Sequence, residues 1–312
     1  MTNIASIYTK TLICIVGPTA VGKTALAIQL AKEYKTEIIS ADSRQFYREM
    51  NIGTAKPIQE ELASIPHHFI NSHSVNDEYS AGDYEKEALN CIEKLFKEKD
   101  VLILVGGSGL FINAVCTGLD NLPKPATGIR EKIIELFQEK GLDFLQEQLK
   151  NVDPSYYAEV DLNNPQRIIR ALEVFQTTNI PFSAWRKKDM DLRKFNIITI
   201  GVNIEREQLY EQINRRVDMM ISNGLLNEVK RLLPYKGRTP LLSVGYSELF
   251  DYFDGKCSLE EAIEKIKQNT RRYAKRQLTW FKKNKNMAWF QPNEVSAITN
   301  YIESLLKDKN PN

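Results

Sequence analysis

The sequence predicts an α/β protein: a parallel-sheet core built on a phosphate-binding loop (a P-loop), helices on both faces of the sheet, and an all-helical insertion domain. Three observations predict it. Gly17-Pro18-Thr19-Ala20-Val21-Gly22-Lys23-Thr24 fits the G-x-x-x-x-G-K-[ST] phosphate loop in full, between an apolar run and a helical pattern. Apolar strands alternate with amphipathic segments through residues 11 to 120, the pattern of a parallel sheet covered on both faces. From Thr127 to Arg193 the patterns are only helical.

Leu12-Ile13-Cys14-Ile15-Val16 reads as the first buried strand. Ala25 to Glu33 follows as a helix, with Leu26 and Leu30 four apart. Glu37-Ile38-Ile39-Ser40 is a second short strand, ending at Ala41-Asp42-Ser43. Asp83 to Lys97 places Tyr84, Ala88, Leu89, Ile92 and Phe96 at core spacing on a helix. Val101 to Val105 is a third strand, bounded by Gly106-Gly107. Pro123 and Pro125 then mark a boundary. The expected domains are therefore a core of residues 1–121 and 195–312 and a helical insertion of residues 122–194. Within the insertion, Arg130 to Lys140, Asp143 to Asn151 and Asn164 to Thr177 read as helices. Phe195 to Val202 returns to strand character. A long helix from Arg206 to Leu233, broken near Gly224, and a last clear helix from Ser258 to Lys283 complete the pattern.

A chain of 312 residues can bury a large core. Its formal net charge of +2 gives no global nucleic-acid signature, so any basic surface must be local. Cys14, Cys91, Cys116 and Cys257 are scattered without C-x-x-C spacing, which indicates neither a zinc site nor a disulfide framework. No apolar run is long enough to span a bilayer, and the first residues have no signal-peptide layout. A cytoplasmic monomer without membrane contact is expected.

The loop glycines let backbone N–H groups approach phosphate oxygens, and the N-terminus of the following helix adds a positive dipole end. Lys23 supplies a point charge, and the Thr24 hydroxyl can hold Mg²⁺. Nucleotide hydrolases place a carboxylate after the third strand. Here that strand ends in Gly106-Gly107-Ser108-Gly109, and Asp100 would lie at the wrong end. Asn284-Lys285-Asn286-Met287 also lacks the acid of a guanine-binding N-K-x-D. Both absences argue against a GTPase or a motor. Asp42 instead ends the second strand, on the sheet edge that carries the loop. It reads either as a base or indirect metal ligand, or as an ordinary turn cap.

Residues 265 to 293 hold Lys265, Lys267, Arg271, Arg272, Lys275, Arg276, Lys282, Lys283 and Lys285, and no acid. Arg272, Lys275, Thr279 and Lys282 recur at helical spacing, with Tyr273, Trp280 and Phe281 interleaved. Such a stripe suits contact with a phosphate backbone. The alternative is a core helix with a solvated outer face, in which Ile263, Ile266, Tyr273 and Trp280 pack inward. His67 and His68 have no Cys or acid at ligand spacing and read as structural.

The combined motifs resemble the tRNA dimethylallyltransferases, also called tRNA isopentenyltransferases, over nearly the whole chain. The resemblance rests on the phosphate loop, Ile39-Ser40-Ala41-Asp42-Ser43-Arg44-Gln45, Ile52-Gly53-Thr54-Ala55-Lys56-Pro57, Pro66-His67-His68 and Tyr79-Ser80-Ala81. It continues through Val105-Gly106-Gly107-Ser108-Gly109-Leu110, Asn164 to Glu173, Val244-Gly245-Tyr246 and Ala274 to Trp280. Three positions depart from the family pattern: Ser108 stands for the usual Thr, Phe111 for Tyr, and Asn51 for a common Asp. Ser108 keeps a hydroxyl. The other two bear on substrate positioning.

The resemblance implies transfer of a dimethylallyl group from its diphosphate to the N6 amine of the adenosine just 3′ of the anticodon, in tRNAs reading codons that begin with U. It implies that Gly17 to Thr24, through the amides of residues 19 to 24 and Mg²⁺ at Thr24, hold the diphosphate. Asp42 would be the general base. Lys23, Ser108 and Arg216 would stabilise the leaving group, although Arg215-Arg216 read alone is an ordinary solvated helix face. Ser43, Arg44 and Gln45 would touch the flipped nucleotide. Arg130, Gln166, Arg167, Ile168, Ile169 and Arg170 in the insertion, with Arg272, Lys275 and Arg276 in the last helix, would meet the tRNA anticodon arm. Competing classes are a nucleotide or nucleoside kinase, a cytokinin-type isopentenyltransferase acting on free adenylates, and an RNA-binding module that uses the loop as a switch.

Overall fold

The apolar runs of the sequence pair side by side. In a computed structural model that describes residues 10–186, 192–285 and 287–308, they form a parallel sheet. Its strands are β1 (Thr11–Val16), β2 (Ile38–Ser40), β3 (His67–His68), β4 (Val101–Gly106), β5 (Asn196–Val202) and β6 (Ala288–Phe290). They lie in the order β3-β2-β4-β1-β5-β6. Every pairing is parallel. The centre of the sheet is buried on both faces, because successive side chains of a strand point opposite ways. Leu12, Cys14 and Val16 of β1 enter one apolar cluster, whereas Ile13 and Ile15 enter the other.

The chain divides into two compact units, Met1–Thr117 with Leu192–Asn312, and Gly118–Asp191. The expected insertion bounds were 122–194. In the first unit, α1 (Lys23–Glu33) starts within the phosphate loop and buries Leu26, Ala27, Leu30 and Ala31. Next come α2 (Gln59–Ser64), α3 (Ala81–Leu95) and α4 (Gly109–Thr117). Ser80 and Asp83 cap α3 reciprocally. The sequence reading missed α2 and β3, at six and two residues too short to leave a periodic signal.

The second unit holds α5 (Ile129–Val152), α6 (Pro154–Glu159), α7 (Pro165–Thr178) and α8 (Phe182–Trp185). Gly141, at φ 81° and ψ −178°, bends α5 where the sequence separates two helices. That backbone region is open essentially to glycine alone. Ile133, Leu145, Leu149, Ile168, Ile169 and Leu172 form the core of this unit. Ile168 and Ile169, expected among the RNA contacts, are thus corrected: their side chains are buried and hold α7 in place.

The chain returns through β5 to α9 (Arg206–Ser222) and α10 (Leu225–Arg231), separated by Gly224 at φ 97° as expected. Then follow α11 (Ser247–Phe253), α12 (Leu259–Phe281) and α13 (Val295–Asp308). The sequence reading stopped at α12. Beyond it, β6 adds an edge strand, and α13 buries Ile298 and Ile302 against the sheet. Among the described residues, no helix is long and apolar enough to cross a membrane.

Candidate active site

Parallel strands point their C-terminal ends to one edge of the sheet, and that edge collects the candidate residues. The phosphate loop leaves β1, the Asp42 turn leaves β2, and Ser108 follows β4. Gly17 packs directly on β5: a Cβ there would lie 2.3 Å from the Val202 carbonyl oxygen. The loop then winds through positive φ at Ala20 (65°) and Gly22 (100°). Lys23 folds back, its Nζ donating to the Pro18 carbonyl at 2.6 Å. Burial pushes the Lys23 ammonium down to about 7; Asp42 opposes that shift and Arg216 adds to it.

Arg216 sits on α9 in the same field. Burial lowers its pKa, and the nearby Asp42 counters. Its neighbour Arg215 is exposed and pairs with Glu211 at 2.6 Å. The helix therefore splits the two arginines, Arg215 to solvent and Arg216 toward Asp42, in line with the residue that the family resemblance singles out.

Asp42 caps its own turn and lies in the field of the site's cations. Its Oδ1 accepts from the Arg44 amide at 2.9 Å, an Asx-type turn. Its carboxylate also acts electrostatically on Lys23, Arg216 and Tyr273. Ser43 and Ser108 join the two strand ends: the Ser108 hydroxyl donates to Ser43 Oγ at 3.1 Å and accepts from the Ser43 amide at 3.2 Å. Gln45 was expected to touch a nucleotide. Its amide nitrogen donates to the Thr54 and Ala55 carbonyls, both at 3.2 Å, and so anchors the following loop.

That loop has a second anchor which sequence reasoning missed. The buried Glu228 of α10 accepts from the amides of Asn51 (3.0 Å), Ile52 (2.8 Å) and Gly53 (3.1 Å), and from the buried Tyr246 hydroxyl at 2.7 Å. A Cβ on Gly53 would meet the Tyr246 ring at 2.6 Å. The departures from the family pattern find their surroundings here. The Asn51 side chain accepts from Lys56 at 3.1 Å and donates to the Arg48 carbonyl at 2.9 Å. Phe111 packs among aromatic rings, 5.5 Å from Phe46 and 5.2 Å from Tyr84 between centroids.

Helix α12 presents two faces. Inward, Tyr273 lies beside Ser108, and burial raises its phenol pKa. Also inward, Gln277 accepts from the Thr19 amide at 2.8 Å and donates to the Gly107 carbonyl at 2.9 Å. Thr19 is therefore removed from the expected set of phosphate-binding amides, which narrows to residues 20–24. Outward, Arg272, Lys275, Arg276 and Lys282 are exposed. A groove of about 220 Å³ on this face is lined by Lys275, Arg276, Thr279, Trp280 and Lys283. The expected absence of compensating acid needs correction at one residue: Lys267 pairs with Asp218 of α9 at 2.9 Å and with Glu264 at 3.0 Å.

In the second unit, Arg130 and Arg170 converge on the buried Glu173 at 2.5 and 3.2 Å. Arg130 also donates to Gln166 at 2.9 Å, and Arg170 to the Pro123 carbonyl at 3.1 Å. Arg167 is exposed beside them. His68 binds Glu37 at 2.6 Å. A hydrogen bond with Cys91, supported by Glu37, pushes the His68 pKa up to about 9, so this histidine serves an edge-strand network.

The residues at this edge would suit Mg²⁺ held mainly by a ligand and water. Among the described residues no three His, Cys, Asp or Glu side chains converge as a metal cage. The Thr24 hydroxyl in the first turn of α1 has no protein partner among the described residues. A hydroxyl plus ligand phosphates and water is the usual shell of this cation.

A G-x-x-x-x-G-K-T loop after a central strand of a parallel sheet covered by helices defines the class, an α/β protein, here with an acid after β2 and none after β4. More particularly, the chain belongs to the IPP transferase family, whose model matches residues 45–284. It is 51% identical to the tRNA dimethylallyltransferase of Christiangramia forsetii over 94% of this chain and 97% of that one. It is 49% identical to the tRNA dimethylallyltransferase of Flavobacterium johnsoniae over 96% and 99%. Among solved structures, the tRNA isopentenylpyrophosphate transferase of Bacillus halodurans superposes with a TM-score of 0.72 at 38% identity, covering 96% of this chain and 98% of that one. A eukaryotic dimethylallyltransferase described as acting on tRNA gives 0.77 at 26% identity, covering 96% and 80%.

Proposed function

We propose that the chain transfers a dimethylallyl group from dimethylallyl diphosphate to the exocyclic N6 amine of the adenosine 3′-adjacent to the anticodon, in tRNAs reading codons that begin with U. Family membership and the names of the relatives support tRNA prenyl transfer. The observation that carries the chemistry is the shared electrostatic field of Lys23, Arg216 and Asp42 at the phosphate-loop edge.

An adenine amine is a weak nucleophile because its lone pair is delocalised into the ring. The reaction breaks the C1–O bond of the prenyl diphosphate and forms a C1–N6 bond. Negative charge grows on the departing diphosphate, and fixed donors aimed at that charge lower the barrier. The amides of residues 20–24, Lys23 and Arg216 are those donors. The Ser108 hydroxyl exchanges its bond to Ser43 for the leaving oxygen. The Thr24 hydroxyl would hold Mg²⁺, which would supply further charge neutralisation. The N6 proton passes to the Asp42 carboxylate, whose Oδ1 is already fixed by the Arg44 amide.

The acceptor adenosine must leave its stack to reach Asp42. Arg44 lies beside the base for that extruded nucleotide. The outward cations of α12 and the exposed Arg167 suit backbone phosphates, and the groove beside Trp280 suits a stacked base. A tRNA substrate supports a cytoplasmic site of action, and we take the chain to act there as a monomer. Incubation with dimethylallyl diphosphate, Mg²⁺ and bulk tRNA, followed by nucleoside mass analysis, tests the reading. A mass gain of one dimethylallyl group on adenosine is expected; unmodified nucleosides would overturn it.

A further inference from the structure

Three residues on one face of α12 grip the phosphate-loop edge. Tyr273, Gln277 and Trp280 recur at spacings of four and three, so they lie in one row along the helix. Tyr273 lies in the electrostatic field of Asp42 and beside Ser108. Gln277 bridges Gly107 to Thr19. Trp280 covers Gly109 so closely that a Cβ there would lie 2.2 Å from its indole nitrogen. Gln277 touches the phosphate loop itself, at Thr19. It is buried, and both ends of its amide are used: Oε1 on the Thr19 N–H and Nε2 on the Gly107 carbonyl. One planar group thus fixes the distance between the loop that would cradle the diphosphate and the turn that carries Ser108.

We propose that Gln277 is a positioning residue for the diphosphate site. It holds the phosphate loop and the Gly107–Ser108 turn in register from the helix whose outer face carries Arg272, Lys275 and Arg276. This rests on the reading that the loop binds a diphosphate, and not on which acceptor is used. Without the bridge the Thr19 amide and the Gly107 carbonyl lose their partners. The loop is then free to shift against Ser108, and small misplacements of a reacting group are costly.

Gln277→Met keeps length and burial and removes both hydrogen bonds. Calorimetry with inorganic pyrophosphate and Mg²⁺ should show affinity weakened, and kcat/KM for dimethylallyl diphosphate lowered, each by roughly 10-fold or more. The KM for an anticodon stem-loop should stay within about two-fold, because the outer face is untouched. A merely structural role would lower Tm without shifting the pyrophosphate affinity. Gly107→Ala tests the same bridge with Gln277 intact, since its Cβ would lie 2.3 Å from Nε2 and displace the amide. It should reproduce the loss, and the double variant should be no worse than either single one. It also carries the test should Gln277→Met not fold. Parental pyrophosphate affinity in either folded variant, or losses that simply add, overturns the proposal. Pyrophosphate binding without any prenylated nucleoside would instead overturn the proposed reaction, and the Gln277 readout would still stand.

Discussion

Lys23 carries a cost that its ligand removes. Its folded pKa of about 7 lies below the ordinary value of 10.5. Between those values the unfolded chain binds a proton that the folded chain does not, so the Lys23 contribution to stability improves as pH rises through the window and is worst below about 7. Lys23→Met should therefore stabilise the ligand-free protein by about 1–2 kcal/mol in denaturant unfolding, while losing diphosphate binding. A bound diphosphate restores the charge. Above pH 7 binding should take up a proton, and affinity should fall by up to about tenfold per pH unit. Calorimetry in buffers of different ionisation enthalpy reads that proton directly. Asp42→Asn is nearly isosteric but cannot accept the amine proton. Single-turnover rates should drop by roughly 10²-fold or more with tRNA affinity unchanged. A rate within a few-fold of the parent removes Asp42 from the base role.

At the scale of elements, α12 is the part to test for RNA binding. Lys267 is tied to Asp218 and Glu264, so it is a poor probe. Arg272, Lys275 and Lys282 are exposed. Their joint replacement by alanine should weaken tRNA binding and flatten its log–log salt dependence by about 0.7–0.9 for each RNA phosphate left without its cation. Pyrophosphate affinity should not change. In α5 the bend at Gly141 has open space around a would-be Cβ, so a substitution meets only backbone strain. Gly141→Ala should cost about 1–3 kcal/mol, read as lowered hydrogen-exchange protection across α5.

For the molecule as a whole, the question is whether the acceptor is a nucleotide or a folded RNA. A free adenylate would use the Asp42–Arg44 corner and leave the α12 cations and Arg167 idle. Turnover on an anticodon stem-loop should exceed turnover on adenosine monophosphate by orders of magnitude. The alanine triple variant should erase much of that difference. Equal efficiency on both acceptors would move the chain to the adenylate-modifying class.

The sequence by itself determined the four central strands of the sheet, the phosphate-loop motif and the positions of Asp42 and Ser108 at strand ends. These depend on short-range signals: apolar runs, a glycine pattern, and residues at strand ends. It also located the breaks at Gly141 and Gly224, since glycine marks local geometry. It missed β3, β6, α2, α6 and α8, which are too short for periodicity, and also α4, α11 and α13. Only the tertiary structure decided that Ile168 and Ile169 are core and that Gln45 anchors the loop at residues 54–55. The same holds for Glu228 under residues 51–53 and Gln277 between Thr19 and Gly107. Each of these partners lies far away in sequence. A buried polar side chain takes its role from whichever unpaired backbone group the fold brings to it, and no local pattern records that meeting.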